Sequence, residues 1–185
     1  NGNFLYVANG GGNVSAYTIT AGTGALTPVA GSPFAAGTTP NAVTVSSNGN
    51  FLYVANGGGN VSAYTITAGT GALTPVAGSP FAAGTTPNAV TVSSNGNFLY
   101  VANGGGNVSA YTITAGTGAL TPVAGSPFAA GATPNAVTVS PNGNFLYVTN
   151  GSSDNVSMFT IDGATGALTS PATIAAGTSP SGVSI

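Results

Sequence analysis

The nineteen residues NGNFLYVANGGGNVSAYTI, positions 1–19, return letter for letter at 48–66 and at 95–113. Two apolar stretches, 3–9 and 13–20, flank the glycine triplet Gly10, Gly11 and Gly12. Both stretches are short, β-branched and aromatic, and both are bounded by Gly and Asn, which is how strands read. A triplet in that position is either an anion cradle or the bend of a hairpin. A phosphate loop opens a helix and, in the P-loop, carries a lysine. Here strands lie on both sides and the chain has no lysine. Asn9 and Asn13 bracket the triplet, and Asn and Gly accept the positive φ that a tight hairpin demands. The reading is therefore a β-hairpin.

Working outward, a third strand, ALTPVAG (25–31), follows the loop at 21–24, and a fourth, NAVTVS (41–46), follows Pro40. In the first strand Phe4, Tyr6 and Ala8 point one way while Leu5 and Val7 point the other. A strand apolar on both faces belongs to a sheet covered on both sides. Pro28 and Pro33 lie in or beside the third strand, where a missing N–H is tolerated only at a sheet edge, so that strand is placed at the rim. The fourth carries small residues at alternate positions, Ala42, Thr44 and Ser46, and fits a crowded centre.

Residues 1–47 and 48–94 are identical, and 95–141 differ only at Ala132 and Pro141. The fourth unit, 142–185, is diverged: it gains a residue in NGSSDNVS, loses two around SPATIAAG, and stops at PSGVSI, the counterpart of PNAVTV at 40–45. A fixed long period marks a repeat architecture. Four-stranded sheets stacked face to face, with a thin inner strand and a proline-bearing outer one, describe an all-β fold, a β-propeller of four-stranded antiparallel blades. The expected organisation is one propeller unit over 1–185, with repeats 1–47, 48–94, 95–141 and 142–185. The blade opened by residues 1–31 is expected to be closed by strand pairing with 180–185. Four units could close as a four-bladed monomer or, as two chains per ring, as an eight-bladed homodimer. The gentler wedge of about 45° per blade favours the dimer over the roughly 90° needed by four blades.

Composition excludes several activities. Lys, Arg and His are absent, and the acids are Asp154 and Asp162 alone. Nucleic-acid binding depends on cations that neutralise phosphates, so no nucleic-acid partner is expected. The same lack removes attraction to anionic lipid, and no apolar run approaches the roughly 18 residues of a membrane span, so no membrane insertion is expected. With no cysteine there is no disulfide or thiolate chemistry. No metal site or cofactor is expected. The chain begins inside a repeat unit, as though cut from a longer, exported parent, and an extracellular or cell-surface setting is expected.

The strings FLYVAN (4–9) and FLYVTN (145–150), followed by NVSAYTI or NVSMFTI, resemble the YVTN-type repeat. The longer NVSMFTIDGATGALTSPATI resembles blades of seven-bladed lactonase-like propellers related to 6-phosphogluconolactonase. The resemblance runs through all four units. It implies catalysis by acidic, basic and His side chains near a central channel, and no His or Arg is present to carry such a role.

Hydrolysis near neutral pH needs a positioned acid, base or metal. Asp162 occupies the place of Thr20 and suits a turn; Asp154 lies in an enlarged hairpin loop. On these grounds the expected function is a non-catalytic scaffold or interaction module amplified from one blade, with a lactonase-like hydrolase as the alternative and an aggregating β assembly as a third reading. Asn13, Asn60, Asn107, Asn150 and Asn155 match the glycosylation sequon, and the repeated tyrosines are assigned to packing between blades. The hairpin loop 9–13 and the segment 35–41 should gather at one end of the ring, presenting the same polar groups several times to a glycan or protein ligand. The candidate ligand-facing residues are Asn9, Asn13, Thr38, Thr39, Asn56, Asn60, Asn103 and Asn107.

Overall fold

A computed structural model describes residues 2–185. The first blade is built from β1 (Phe4–Asn9), β2 (Asn13–Ile19), β3 (Leu26–Pro28) and β4 (Phe34–Ala35). The second comprises β5 (Pro40–Val45), β6 (Phe51–Asn56), β7 (Asn60–Ile66), β8 (Leu73–Pro75) and β9 (Phe81–Ala82). The third repeats it with β10 (Pro87–Val92), β11 (Phe98–Asn103), β12 (Asn107–Ile113), β13 (Leu120–Pro122) and β14 (Phe128–Ala129). The fourth has β15 (Pro134–Val139), β16 (Phe145–Asn150), β17 (Asn155–Ile161) and one long outer strand, β18 (Leu168–Ala175). Every pairing is antiparallel and meandering, as short hairpin connections require.

Two details differ from the sequence reading. The rim strand expected at 25–31 is split: β3 stops at Pro28, the chain turns, and β4 resumes pairing with β2 at Phe34 and Ala35. Pro33 stands in that break, where it withholds no ladder N–H. In the fourth blade, two residues shorter there, the outer strand is continuous. The inner strand begins at Pro40 rather than 41, with a register shift between Pro40 and Ala42 that leaves Asn41 as an extra residue against β6.

The two-sided apolar character has a specific use. The Phe/Tyr/Ala face of each blade packs on the Leu/Val face of the next: Phe51, Tyr53 and Ala55 meet Leu99 and Val101 in one core cluster. Phe98, Tyr100 and Ala102 meet Leu146 and Val148 in another. Tyrosine hydroxyls lock the same joints, Tyr6 donating to Gly71 O at 2.9 Å, Tyr53 to Gly118 O at 3.1 Å and Tyr100 to Gly166 O at 3.0 Å. The blades therefore stack in chain order around the inner strands, as a propeller does.

The expected closure by residues 180–185 is not made within the chain. Those residues carry no strand, and among the described residues β1 pairs with β2 alone. Leu5 and Val7 are each 39% exposed, whereas their counterparts Leu52, Val54, Leu99 and Val101 are at 0%. At the other end Phe145 is exposed while Phe51 and Phe98 are buried. The four blades form an open arc and not a closed four-bladed ring. The physical reason is that the β1 edge and the segment 180–185 lie on the two end blades, and among the described residues no strand pairing joins those blades.

Candidate functional site

The hairpins joining β1 to β2, β6 to β7, β11 to β12 and β16 to β17 lie at the end of the arc where the chain enters each inner strand. Backbone bonds tie the two sets of loops together: Gly57 N donates to Thr39 O at 2.7 Å and Gly58 N to Thr38 O at 3.1 Å. The same pair recurs at Gly104 with Thr86 and at Gly105 with Thr85. Thr39, Thr86 and Thr133 sit at φ 53 to 55°, the left-handed corner that swings the chain into the inner strand.

The predicted ligand-facing residues divide by burial. Thr38 and Thr39 are exposed. Asn13, Asn60 and Asn107 are half-buried, and Asn9 is half-buried in the incomplete first blade. Asn56 and Asn103 are fully buried, and their side chains are engaged inside their own blades. Asn103 Nδ2 donates to Asn107 Oδ1 at 2.8 Å and to Ser109 Oγ at 2.9 Å, and Asn56 does the same with Asn60 and Ser62. The following segment closes over this amide so tightly that a Cβ on Gly84 would stand 2.6 Å from Asn103 Nδ2, so only glycine fits. The Oδ1 atoms of Asn56, Asn103 and Asn150 are buried without a protein partner. Asn103→Ala is expected to lower stability by about 1–3 kcal/mol, the cost of stranding buried polar atoms. Thr85→Ala, exposed, is expected to stay within about 0.5 kcal/mol. Urea unfolding of the two variants checks the pair.

Between hairpin and following segment each of the first three blades opens a shallow groove, of about 400, 380 and 320 Å³. Glycines 10–12 and Ala36–Thr39 line the first. The fourth hairpin departs from this pattern. Asp154, at φ 51°, stands where the other hairpins have a positive-φ glycine, and its carboxylate reaches to the segment after its blade and accepts the Ser179 N–H at 2.7 Å. Beside it, Thr133 Oγ1 and Ser152 Oγ share a hydrogen bond of 2.7 Å, and Ser153 Oγ accepts the Ala132 N–H. One exposed carboxylate and several hydroxyls thus belong to the same fourth hairpin, Asp154 tied to the segment that follows its blade and Ser152 and Ser153 to the segment that precedes it. The sequence signal for this was the enlarged loop NGSSDNVS, the one insertion in the repeated hairpin.

Asp162 lies at the opposite end of the arc. Its carboxylate accepts the Ala164 and Thr165 N–H groups at 2.9 and 3.0 Å. Those bonds, Thr165 first, hold its carboxyl below the usual range. It is a turn cap, as the sequence suggested. Among the described residues no group of three His, Cys, Asp or Glu gathers to hold a metal.

The class of protein is a lactonase-type propeller. The chain matches the family Lactonase, 7-bladed beta-propeller, over residues 1–85 and 75–185, and it belongs to that family. No curated protein sequence matches it. Among solved structures it is similar to the periplasmic gluconolactonase of Pseudomonas aeruginosa, with 23% identity, a TM-score of 0.83, and coverage of 98% of this chain and 53% of that one. It is also similar to a Bacteroides fragilis protein described as a 6-phosphogluconolactonase, with 25% identity, a TM-score of 0.82, and coverage of 95% and 52%. A Lactobacillus plantarum protein gives 22% identity, a TM-score of 0.81, and coverage of 95% and 53%. The chain spans about half the length of these structures. The family match overturns the expectation of a non-catalytic scaffold that is not an enzyme. That expectation gave the missing His and Arg side chains more weight than the family resemblance running through all four units.

Proposed function

We propose that the protein is a lactonase-family hydrolase acting on an uncharged lactone at the hairpin end of the arc. The observation that carries this reading is the family match across all four blades. The charge balance narrows the substrate class. With no Lys, Arg or His, nothing in the chain pairs a phosphate, so a phosphorylated lactone would be held without a counter-charge. A neutral sugar lactone needs only hydroxyl and amide partners, which the repeated Thr, Ser and Asn groups supply.

In this reading Asp154 is the general base. Its carboxylate takes a proton from water as the water oxygen attacks the lactone carbonyl; the ring C–O bond then breaks and the departing alkoxide recovers a proton, giving a hydroxy acid. Thr133 and Ser152 hold the substrate hydroxyls. Under pH-stat titration, hydrolysis of glucono-1,5-lactone should exceed the buffer rate, and Asp154→Asn should lower kcat/KM on the order of 10²-fold. Asp162→Asn, at the far end, should leave the rate unchanged. A wild-type rate equal to buffer, or an Asp154→Asn variant as fast as wild type, contradicts the reading.

A further inference from the structure

In each of the units 48–94, 95–141 and 142–185 the dipeptide Asn-Gly stands twice, and the fold gives its two copies opposite surroundings. One copy, Asn56, Asn103 or Asn150, ends the strand before the hairpin and is fully buried. In the fourth blade Asn150 Nδ2 donates to Asn155 Oδ1 and to Ser157 Oγ, each at 2.8 Å. The backbone at Gly131 lies over that carboxamide so closely that a Cβ there would stand 2.6 Å from Asn150 Cγ. The other copy, Asn48, Asn95 or Asn142, is exposed in the turn that leads from each inner strand to the next strand. There Asn142 Oδ1 accepts the Ser140 hydroxyl at 2.6 Å and the Asn144 N–H at 3.1 Å. Ser140 is only 4% exposed, and its Oγ is pinned by the Phe145 N–H at 3.0 Å. The same pair of donors serves Asn48 and Asn95.

We propose that Asn48, Asn95 and Asn142 are self-modification sites, at which the chain deamidates with water as its sole co-reactant, while the buried copies are shielded. The Gly143 nitrogen gives up its proton and bonds to Asn142 Cγ; the Cγ–Nδ2 bond breaks, and ammonia leaves with that proton. Water then opens the resulting five-membered imide at one of its two carbonyls, and the Gly143 nitrogen regains a proton. Opening at Cγ leaves aspartate, and opening at the main-chain carbonyl leaves an isoaspartyl link. The two donors on Oδ1 draw electron density from Cγ and favour the oxyanion that forms there. The Gly143 N–H is tied to Ser140 O at 2.8 Å, a single local bond in an exposed turn, which opens at low cost. At Asn150 the attacked carbon is covered, the leaving amide is held twice, and the Gly151 N–H is tied at 2.8 Å to Thr133 O of the preceding segment. An aspartate at 142 keeps both donors, now on a carboxylate, much as Asp162 caps its own turn. Each event adds one negative charge to a chain of net charge −2. These turns lie at the end of the arc away from the hairpins, so the inference stands apart from the lactone reading.

The fourth unit supplies the test, because its two Asn-Gly pairs fall on chymotryptic peptides that occur once in the chain, 129–145 and 148–159. The wild-type protein is incubated folded in mildly alkaline buffer and, in parallel, unfolded in urea; both samples are then digested, and deamidation is followed by mass spectrometry. Unfolded, the two asparagines should react at similar rates, since each precedes glycine. Folded, Asn142 should react at least about tenfold faster than Asn150, whose two side-chain bonds must break first. The Asn142 products should include both the aspartyl and the isoaspartyl peptide, which separate chromatographically. Equal rates at the two positions in the folded protein, a faster reaction at Asn150, or an Asn142 that reacts in urea but not in the fold would each overturn the proposal.

Discussion

Gly118→Ala should destabilise the fold by about 2–5 kcal/mol, combining two independent costs. Gly118 sits at φ +73°, where a non-glycine residue loses about 1–2 kcal/mol. An added Cβ would also stand 2.7 Å from Cε1 of Phe51 and closer still to its Cδ1. Phe51 is 4% exposed and wedged in the core that joins the second and third blades, so it cannot swing aside. Forcing such a ring out of place costs about 1–3 kcal/mol. Gly116→Ala separates the two costs. Gly116 has φ +87° but nothing within 4 Å of its would-be Cβ, so only the backbone penalty of about 1–2 kcal/mol applies. Urea midpoints for the two variants at a common slope give the difference. Equal losses would mean that Phe51 does not press on this turn.

Stability should be nearly flat from about pH 5 to 9 and fall steeply above pH 10, because the chain's titrating side chains are two aspartates and seven tyrosines. Burial pushes Tyr6 up to about 12. Burial also raises Tyr53, Tyr64, Tyr100 and Tyr111, with the negative charge of Asp162 adding to the shift at Tyr100. A group whose folded pKa is raised contributes stability that is fully present below its unfolded value, here about 10, and lost as pH rises through the folded value. For Tyr6 that window is about 10 to 12. Asp162 has the opposite sign: its carboxyl is held low, so its contribution is present above the ordinary Asp range and lost as pH falls through the folded value. Urea midpoints measured from pH 4 to 12 alongside tyrosinate absorbance check this. Ionisation of Tyr6, Tyr53 and Tyr100 near pH 10 with the fold intact would contradict the inter-blade hydroxyl locks, which need the proton that each donates to a glycine carbonyl.

Much of this was legible in the letters. The alternation in FLYVAN announced a sheet covered on both sides, and Leu99, Tyr100 and Val101 are indeed all at 0% exposure. Pro28 marked the rim strand, though not its break before Phe34, because a split edge needs the pairing partner β2 to reveal it. The alternation could not say which blade face meets which, so the meeting of the Phe/Tyr face with the Leu/Val face came only from the packing. At the site, the repeated Asn residues looked like surface donors because they flank a glycine turn. Asn56 and Asn103 instead turn inward, since Asn60 and Ser62, or Asn107 and Ser109, offer short polar partners across the hairpin. Asp154 was visible as an insertion, but its reach to the Ser179 N–H joins residues 25 positions apart and has no signature in spacing. Counting ionisable groups points away from an enzyme, whereas the family signature spread through all four repeats points to a hydrolase family and is the stronger evidence.

Urea unfolding of Tyr53→Phe addresses the central claim that each blade leans its Phe/Tyr face on the next and is held there by a tyrosine hydroxyl. A loss of about 1–3 kcal/mol is predicted, the cost of leaving a buried carbonyl without its donor. A variant as stable as the wild type would contradict the lock between the second and third blades.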